Sequence, residues 1–388
     1  MGTWALNQAQ GLANQNIDLQ VVSFTSQVPN TLAITSGAKA YANCPDEYTW
    51  NETIKVQYPR WLYYPINPIK KWMYKNPQPY LNIAAKSAQK KLIQIIEKFQ
   101  PDIIFCHHSL PNGWLVASLP QKYQKPLFVL EHDYDEIADC RTLPQRYSAF
   151  SQVANKTSAL MGVSKRMEND LKSLFPGNNI FTHHNGISLP DTNFSTNPRP
   201  ENIKKKQIIS SCALFAERKG IPLLIRAFAK ISPQHPHAIL RIIGSGPDEE
   251  NIIKTIDECA MTDKVQLLGK MSHDDVLQEI AWSDFFALVG WDEPFATVYL
   301  EAMALGKPIV CCSDGGITDV VENNVHALTV PPKDTEATAN ALEQLLASPS
   351  TCRQMGENAK SLIESSLTWN IKAKQLINYF DAALSKAP

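Results

Sequence analysis

Short apolar runs alternate along this chain with longer amphipathic stretches. Asp18–Phe24, Asp102–His108, Pro126–His132, Ala159–Ser164 and Asn179–Gly186 are brief and rich in branched or aromatic residues, which predicts buried strands. Between them, Leu81–Gln100 carries apolar residues at helical spacing and stops at Pro101. Helices are also predicted after Asn112 and Ser164, both read as N-caps. The alternation pauses at Asn185–Lys206, rich in Asn, Pro and Lys, which reads as a connection between domains. A second series follows, with strands in QIISSCAL, AILRIIG, VQLLG, DFFALVG, PIVCCS and ALTV, each with a helical partner. Thr368–Ala387 is one amphipathic helix after that series has ended.

Strands alternating with helices predict parallel α/β sheets. Two series predict two doubly wound, Rossmann-like domains facing across a cleft. The expected bounds are 1–190 with 368–388 for the first, 191–206 for the linker and 207–367 for the second. Such sheets bind ligands beyond the carboxyl ends of their strands, so the chemistry is sought there.

At 388 residues, 44% hydrophobic and 19% charged, the chain can bury two ordinary cores. A formal net charge of -1 argues against bulk attraction to nucleic acid, and no nucleic-acid partner is expected. The eight cysteines form no C-x-x-C pair and are read as reduced core thiols of a cytoplasmic protein. No signal-peptide core opens the sequence, and no run of about 18 apolar residues could span a bilayer. Pro59–Tyr80 mixes Trp61, Tyr63, Tyr64, Trp72 and Tyr74 with Arg60, Lys70, Lys71 and Lys75. It reads either as a peripheral membrane or acceptor contact or as a Pro-rich excursion packed on its domain.

Four segments of the chain sit at strand ends with suitable chemistry. Gly244 and Gly246 follow a strand and precede a helix, which suits close backbone approach to a donor and equally suits an ordinary turn. Arg218 and Lys219 end another strand, where two cations suit a phosphate or form a solvated basic turn. In WDEPFATVYLEAMALGKPIV a loop leads into a short helix whose first amides, around Phe295, Ala296, Thr297 and Val298, form an anion-binding end. Glu301 on that helix can accept from a ribose diol, and Glu293 in the loop can reach another part of the same ligand. Diphosphate, ribose and sugar in that order make a nucleotide-sugar layout. The bland alternative is a surface helix residue and a loop charge. In the first half, the strand-end pair His132 and Asp133 suits a sugar hydroxyl.

The motifs ERKG, GSGP, E-PFATVYL-E, EAMALGKPIV and SDGGITDVVENNVHALTVPP together resemble the family 4, or group 1, glycosyltransferases of the GT-B fold. The resemblance runs from Gly2 to the final helix. It implies a retaining sugar transfer from a nucleoside diphosphate sugar to a sugar or lipid-linked acceptor hydroxyl, with no metal and no cofactor beyond that co-substrate. It assigns Arg218, Lys219 and the amides of Phe295–Val298 to the diphosphate, Glu301 to the ribose, Glu293 to the donor sugar and His132 to the active site. Gly2, His107, His108 and Asp133 fall on the acceptor side, and the final helix crosses back onto the first domain. DIIFCHHSLPNGW is similar to members that build teichuronic-acid-like or exopolysaccharide chains.

The chain departs from the family at Leu214, where an Arg is common, at Ala296 in place of Gly, and at Ser188 in place of Asp. The family's first strand is also expected to be missing, because residue 1 falls in the loop that follows it. A nucleotide-sugar epimerase of the same fold and a remnant that only binds are the alternative readings.

Overall fold

A computed structural model of the chain describes residues 3–51, 53–63, 69–191 and 193–385. It divides into two compact units, Met1–His184 with Trp369–Pro388, and Asn185–Thr368. The chain therefore passes between them at His184, ahead of the expected linker. That stretch belongs to the second unit. Asn193–Thr196 is helical, Ile203 packs with Ile208 and Ile239, and Arg199 pairs with Asp284 at 2.7 Å. Proline and asparagine signalled irregular backbone there, but Ile203 and Arg199 give it packing partners.

In the first unit β1 (Gln20–Val22), β3 (Glu47–Trp50) and β4 (Ile54–Gln57) form one sheet in the order β1-β4-β3. β2 (Thr25–Ser26) pairs with β5 (Arg60–Trp61). β6 (Ile104–His107), β7 (Leu127–Glu131), β8 (Ala159–Gly162) and β9 (Ile180–Thr182) form a separate parallel sheet in chain order. Every residue of β7 is buried, as a strand covered on both faces requires. The helix Pro77–Phe99 buries Leu81, Ala84, Ala85, Ala88, Leu92, Ile95 and Ile96 along one stripe. It ends where Gln100 turns left-handed ahead of Pro101.

Trp369–Leu384 returns to the first unit and covers this sheet. Its Phe380 ring lies 4.7 Å from Phe128, and Tyr379 lies 4.2 Å from Phe181. The same helix meets Thr3–Ala13 at Gly11, where an added Cβ would stand 2.8 Å from the Trp369 carbonyl oxygen. Ser164 caps its helix as expected, accepting from the Met167 amide. Asn112 does not cap the next turn: it lies inside the turn Ser109–Gly113, and its side-chain nitrogen donates to the His107 carbonyl.

The second unit is one six-stranded parallel sheet. Its strands are β10 (Gln207–Cys212), β11 (Ala238–Ile243), β12 (Val265–Gly269), β13 (Phe285–Leu288), β14 (Ile309–Cys312) and β15 (Ala327–Val330). Their spatial order is β12-β11-β10-β13-β14-β15. The chain winds outward from β10 in one direction, returns, and winds outward in the other. The reversal falls between β10 and β13, and such a switch point leaves a crevice beyond the carboxyl ends of the two strands.

Gly11→Ala tests the helix contact that completes the first unit. Alanine gains about 0.8–1 kcal/mol in helix propensity, but forcing apart two packed backbones costs about 1–3 kcal/mol. A lower urea midpoint is therefore expected. An equal or higher midpoint means that the two helices are not in tight contact.

Candidate functional site

The loops leaving β10 and β13 converge at the switch point. After β10, Glu217–Lys219 forms a single tight turn, and Gly220 then adopts φ +66° to start the helix Ile221–Ile231. A Cβ at Gly220 would lie 2.6 Å from the Val289 carbonyl oxygen at the end of β13, so only glycine lets the two loops nest this closely. The Arg218 carbonyl accepts from the Trp291 amide at 3.0 Å.

Across this seam, Glu293 Oε1 lies 2.6 Å from Lys219 Nζ and 3.3 Å from Arg218 Nη1. Glu293 is 3% exposed, and its carbonyl accepts from the Gly316 amide at 2.8 Å. Arg218 remains half exposed. The pattern thus brings Arg218, Lys219 and Glu293 together, with the acid bound to the cations. Two cations against one buried carboxylate leave an excess of positive charge where an anion could be held.

The loop after β11 lies against the one after β10. A Cβ on Gly244 would stand 1.9 Å from the Ala213 carbonyl oxygen, and one on Gly246 2.4 Å from that of Phe215. Close backbone packing therefore accounts for both glycines by itself. The helix Thr297–Ala304 starts after Ala296, and no side chain caps it, while Phe295 is buried beside its start. Its Glu301 is mostly buried, and Oε1 meets His273 Nε2 at 3.0 Å. The hydrogen bond to Glu301 raises the His273 pKa above its ordinary value, against a smaller opposing effect of burial. His273 escaped the sequence reading. Its signal was position alone, a histidine opening the helix after β12 behind the Ser272 cap.

In the first unit, His107 Nδ1 and His132 Nε2 sit 2.9 Å apart, at the ends of neighbouring strands β6 and β7. The Trp4 ring covers both, with centroids 4.8 Å from His107 and 4.2 Å from His132. His108 has φ +67°, and its Nδ1 is 3.5 Å from the buried Glu131 Oε2. Glu131 Oε1 accepts from the Ser109 amide. Asp133 is exposed at the head of the helix Tyr134–Thr142. Gly2 lies outside the described residues.

Burial pushes the pKa of His107 down to about 3 and that of His132 well below the ordinary value, and neighbouring imidazoles add to both effects. For His108 burial acts downward, yet the hydrogen bond and charge of Glu131 carry its pKa above the ordinary value.

Further residues of the first unit were missed. His183 is 3% exposed, and its Nε2 has no partner among the described residues. Burial holds it at about 3, and the same effect brings Lys372 on the returning helix down to about 8. The buried Gln8 likewise leaves both amide atoms without partners among the described residues. Trp4 and Gln8 sit one turn apart on a helix whose role had no sequence motif.

Among the described residues no three His, Cys, Asp or Glu side chains gather as a metal site, and no helix is long and apolar enough to cross a membrane.

The pattern of two family descriptions matches this chain. "Glycosyltransferase Family 4" covers residues 1–190, and "Glycosyl transferases group 1" covers residues 193–362. A GDP-mannose-dependent monoacylated alpha-(1-6)-phosphatidylinositol monomannoside mannosyltransferase of Corynebacterium glutamicum is 23% identical over 302 residues, covering 74% of this chain and 78% of that protein. The sucrose-phosphate synthase structure from Thermosynechococcus elongatus matches with a TM-score of 0.77 at 18% identity, over 99% of this chain and 93% of that one. Anabaena HepE in complex with UDP and glucose matches with a TM-score of 0.70 at 16% identity, over 98% and 96%. These structures show that the fold is GT-B.

The buried imidazoles make stability depend on acid. A histidine whose folded pKa is depressed keeps its contribution above the unfolded value of about 6.5. That contribution is lost as pH falls from about 6.5 toward about 3, the folded value of His107 and His183. Denaturant unfolding from pH 7 to 4 should show stability falling by up to about 1.4 kcal/mol per pH unit for each such histidine. His183→Gln should flatten the slope, and an unchanged slope in that variant would count against a neutral buried ring.

Proposed function

This chain belongs to the family 4, or group 1, glycosyltransferases and is a glycosyltransferase enzyme, and from that premise we propose which groups handle donor and acceptor. The reaction moves a sugar from a nucleoside diphosphate donor to an acceptor hydroxyl, with retention of anomeric configuration. The observation that carries the reading is the cluster of Arg218, Lys219 and Glu293 at the switch point of the second unit, beside a helix start without a side-chain cap. Lys219, Arg218 and the amides of Phe295–Val298 take the diphosphate and stabilise the charge that develops on it as the bond to the sugar breaks. Glu301 takes the ribose, with His273 holding one carboxylate oxygen in place. Glu293 fixes the two cations and faces the donor sugar once the diphosphate draws them away. Gly244 and Gly246 shape the loop beside it.

His132 acts on the acceptor side with His107, His108 and Asp133. Its pKa lies well below the ordinary value, so its ring is a poor store for a proton. It serves as a neutral hydrogen-bonding partner for a sugar hydroxyl. Anabaena HepE was solved with UDP and the mannosyltransferase relative is named for GDP-mannose, so a UDP- or GDP-sugar is the donor class to test. The acceptor class is a growing polysaccharide or a lipid-linked sugar.

Calorimetry with UDP and GDP, beside transfer assays, separates the roles. Glu301→Ala should weaken nucleotide binding by roughly 1.5–3 kcal/mol for each charge-assisted bond lost. His132→Ala should lower turnover at least tenfold and leave nucleotide affinity within twofold. Unchanged affinity in the first variant removes Glu301 from the ribose, and equal losses of both properties in the second remove His132 from the acceptor side.

A membrane-borne acceptor draws support from Trp72, which is 57% exposed on the helix Ile69–Lys75 beside the exposed Lys71 and Lys75. Tyr74 from the same helix is engaged elsewhere, through Asp139 and a stack on Arg146. The chain should sediment with vesicles containing anionic phosphatidylglycerol, and Trp72→Ala should release it. Sedimentation that Trp72→Ala leaves intact removes Trp72 from the contact, and no sedimentation at all counts against a membrane-borne acceptor.

A further inference from the structure

The second unit has a cavity of about 280 Å³ at the end of the sheet opposite the switch point. Its walls come from the amino-terminal ends of β10 and β13, from the turn before β14, and from the start of the helix Pro349–Leu362. Four cations line it, Arg199, Lys206, Lys307 and Arg353, against a single carboxylate, Asp284. This is a local excess in a chain whose formal net charge is only -1.

The carboxylate is already committed. Asp284 Oδ1 accepts from Arg199 at 2.7 Å, and Oδ2 accepts from the Ile208 amide at 2.7 Å. Lys307 donates to the Ser283 carbonyl at 2.7 Å, a neutral partner. Lys206 and Arg353 have no carboxylate partner among the described residues. Burial moves the Lys307 ammonium down to about 8, against the pull of Asp284, so the site as it stands disfavours its own charge. The helix Pro349–Leu362 starts at the cavity wall, but its lining residues Pro349 and Cys352 add no free amide, because Pro349 has no N–H and the Cys352 amide donates to the Ser348 carbonyl. Cations that repel one another across a concave wall, with too few anions to balance them, are matched by a polyanionic group with several acceptor oxygens.

We propose that this cavity binds a phosphoryl group, carried by inorganic phosphate or by a small phosphomonoester. The volume lies just under the roughly 300 Å³ at which ligand pockets begin, which suits a small ligand and excludes a whole nucleoside diphosphate sugar. The proposal stands apart from the donor reading. The two sites lie at opposite ends of the same strands and share no residue.

Calorimetry of the full chain with inorganic phosphate, and separately with glucose 6-phosphate, tests it. Saturable binding of at least one is expected at one site per chain. Tighter binding of glucose 6-phosphate assigns the site to a phosphomonoester, and equal affinity assigns it to the bare anion. Lys206→Ala and Arg353→Ala each remove one charged donor and should weaken binding about tenfold. Neither side chain holds a carboxylate, so the melting temperature of the unliganded variants should match the parent. Lys219→Ala, in the donor cluster, should bind like the parent. Binding absent for both anions, binding unchanged in the Lys206→Ala/Arg353→Ala double variant, or binding lost in Lys219→Ala would overturn the proposal. Nucleotide binding can fail or succeed independently of all three.

Discussion

The second unit is organised around a carboxylate that water cannot reach. Glu293 is 3% exposed, and a charge so buried is tolerable only when paired. Lys219 supplies the close partner at 2.6 Å and Arg218 a looser one. That pairing ties the loop after β10 to the loop after β13, and backbone bonds from Trp291 to Arg218 and from Gly316 to Glu293 extend the tie. Gly220 is part of the same constraint, because any side chain there would strike Val289. The loops are thus held together at the place where the sheet changes direction, with Arg218 left half exposed. The anion proposed to bind there would compete with Glu293 for the same cations.

The first unit solves a different problem with neutral polar groups. His183 is buried and His107 and His132 are half-buried, and with desolvation and no carboxylate beside them each has its pKa lowered. His108 is the exception because Glu131 stands next to it. Trp4 lies over His107 and His132, which places the helix Thr3–Ala13 over the strand ends where these rings sit. Gln8 on that helix and His183 after β9 also keep buried polar atoms without partners among the described residues. The sheets themselves are unequal. The second unit has one continuous six-stranded sheet, whereas the first has three separate ones, and no strand joins β1-β4-β3 to β6–β9 among the described residues.

The sheet strands of the second unit were legible in their apolar runs, because a strand buried on both faces must be apolar along its length. The switch point was not, since strand order depends on which edges meet and no local pattern records it. The antiparallel hairpin of β3 and β4 also went unread, because β3 is largely exposed and its residues show little alternation. Asn112 looked like a helix cap by residue type, yet it falls inside the turn Ser109–Gly113, one residue before the cap position. The stretch 191–206 looked like a linker by composition, yet Ile203 and Arg199 anchor it to the second unit.

For the candidate site, residue type and place in the strand–loop–helix pattern singled out Arg218, Lys219, Glu293 and Glu301 as candidates, and the family resemblance added His107 and His132. Contacts between distant segments were decided only in three dimensions. Glu293 turned to the cations, Glu301 to His273 on the helix after β12, and Trp4 to two imidazoles more than a hundred residues away in sequence. The four cations around Asp284 come from three separated stretches of chain and share no motif. Local sequence dictates which groups a segment offers and where its backbone turns. Which of those groups meet, and so which carry charge and which are kept neutral, follows from burial that only the folded chain imposes.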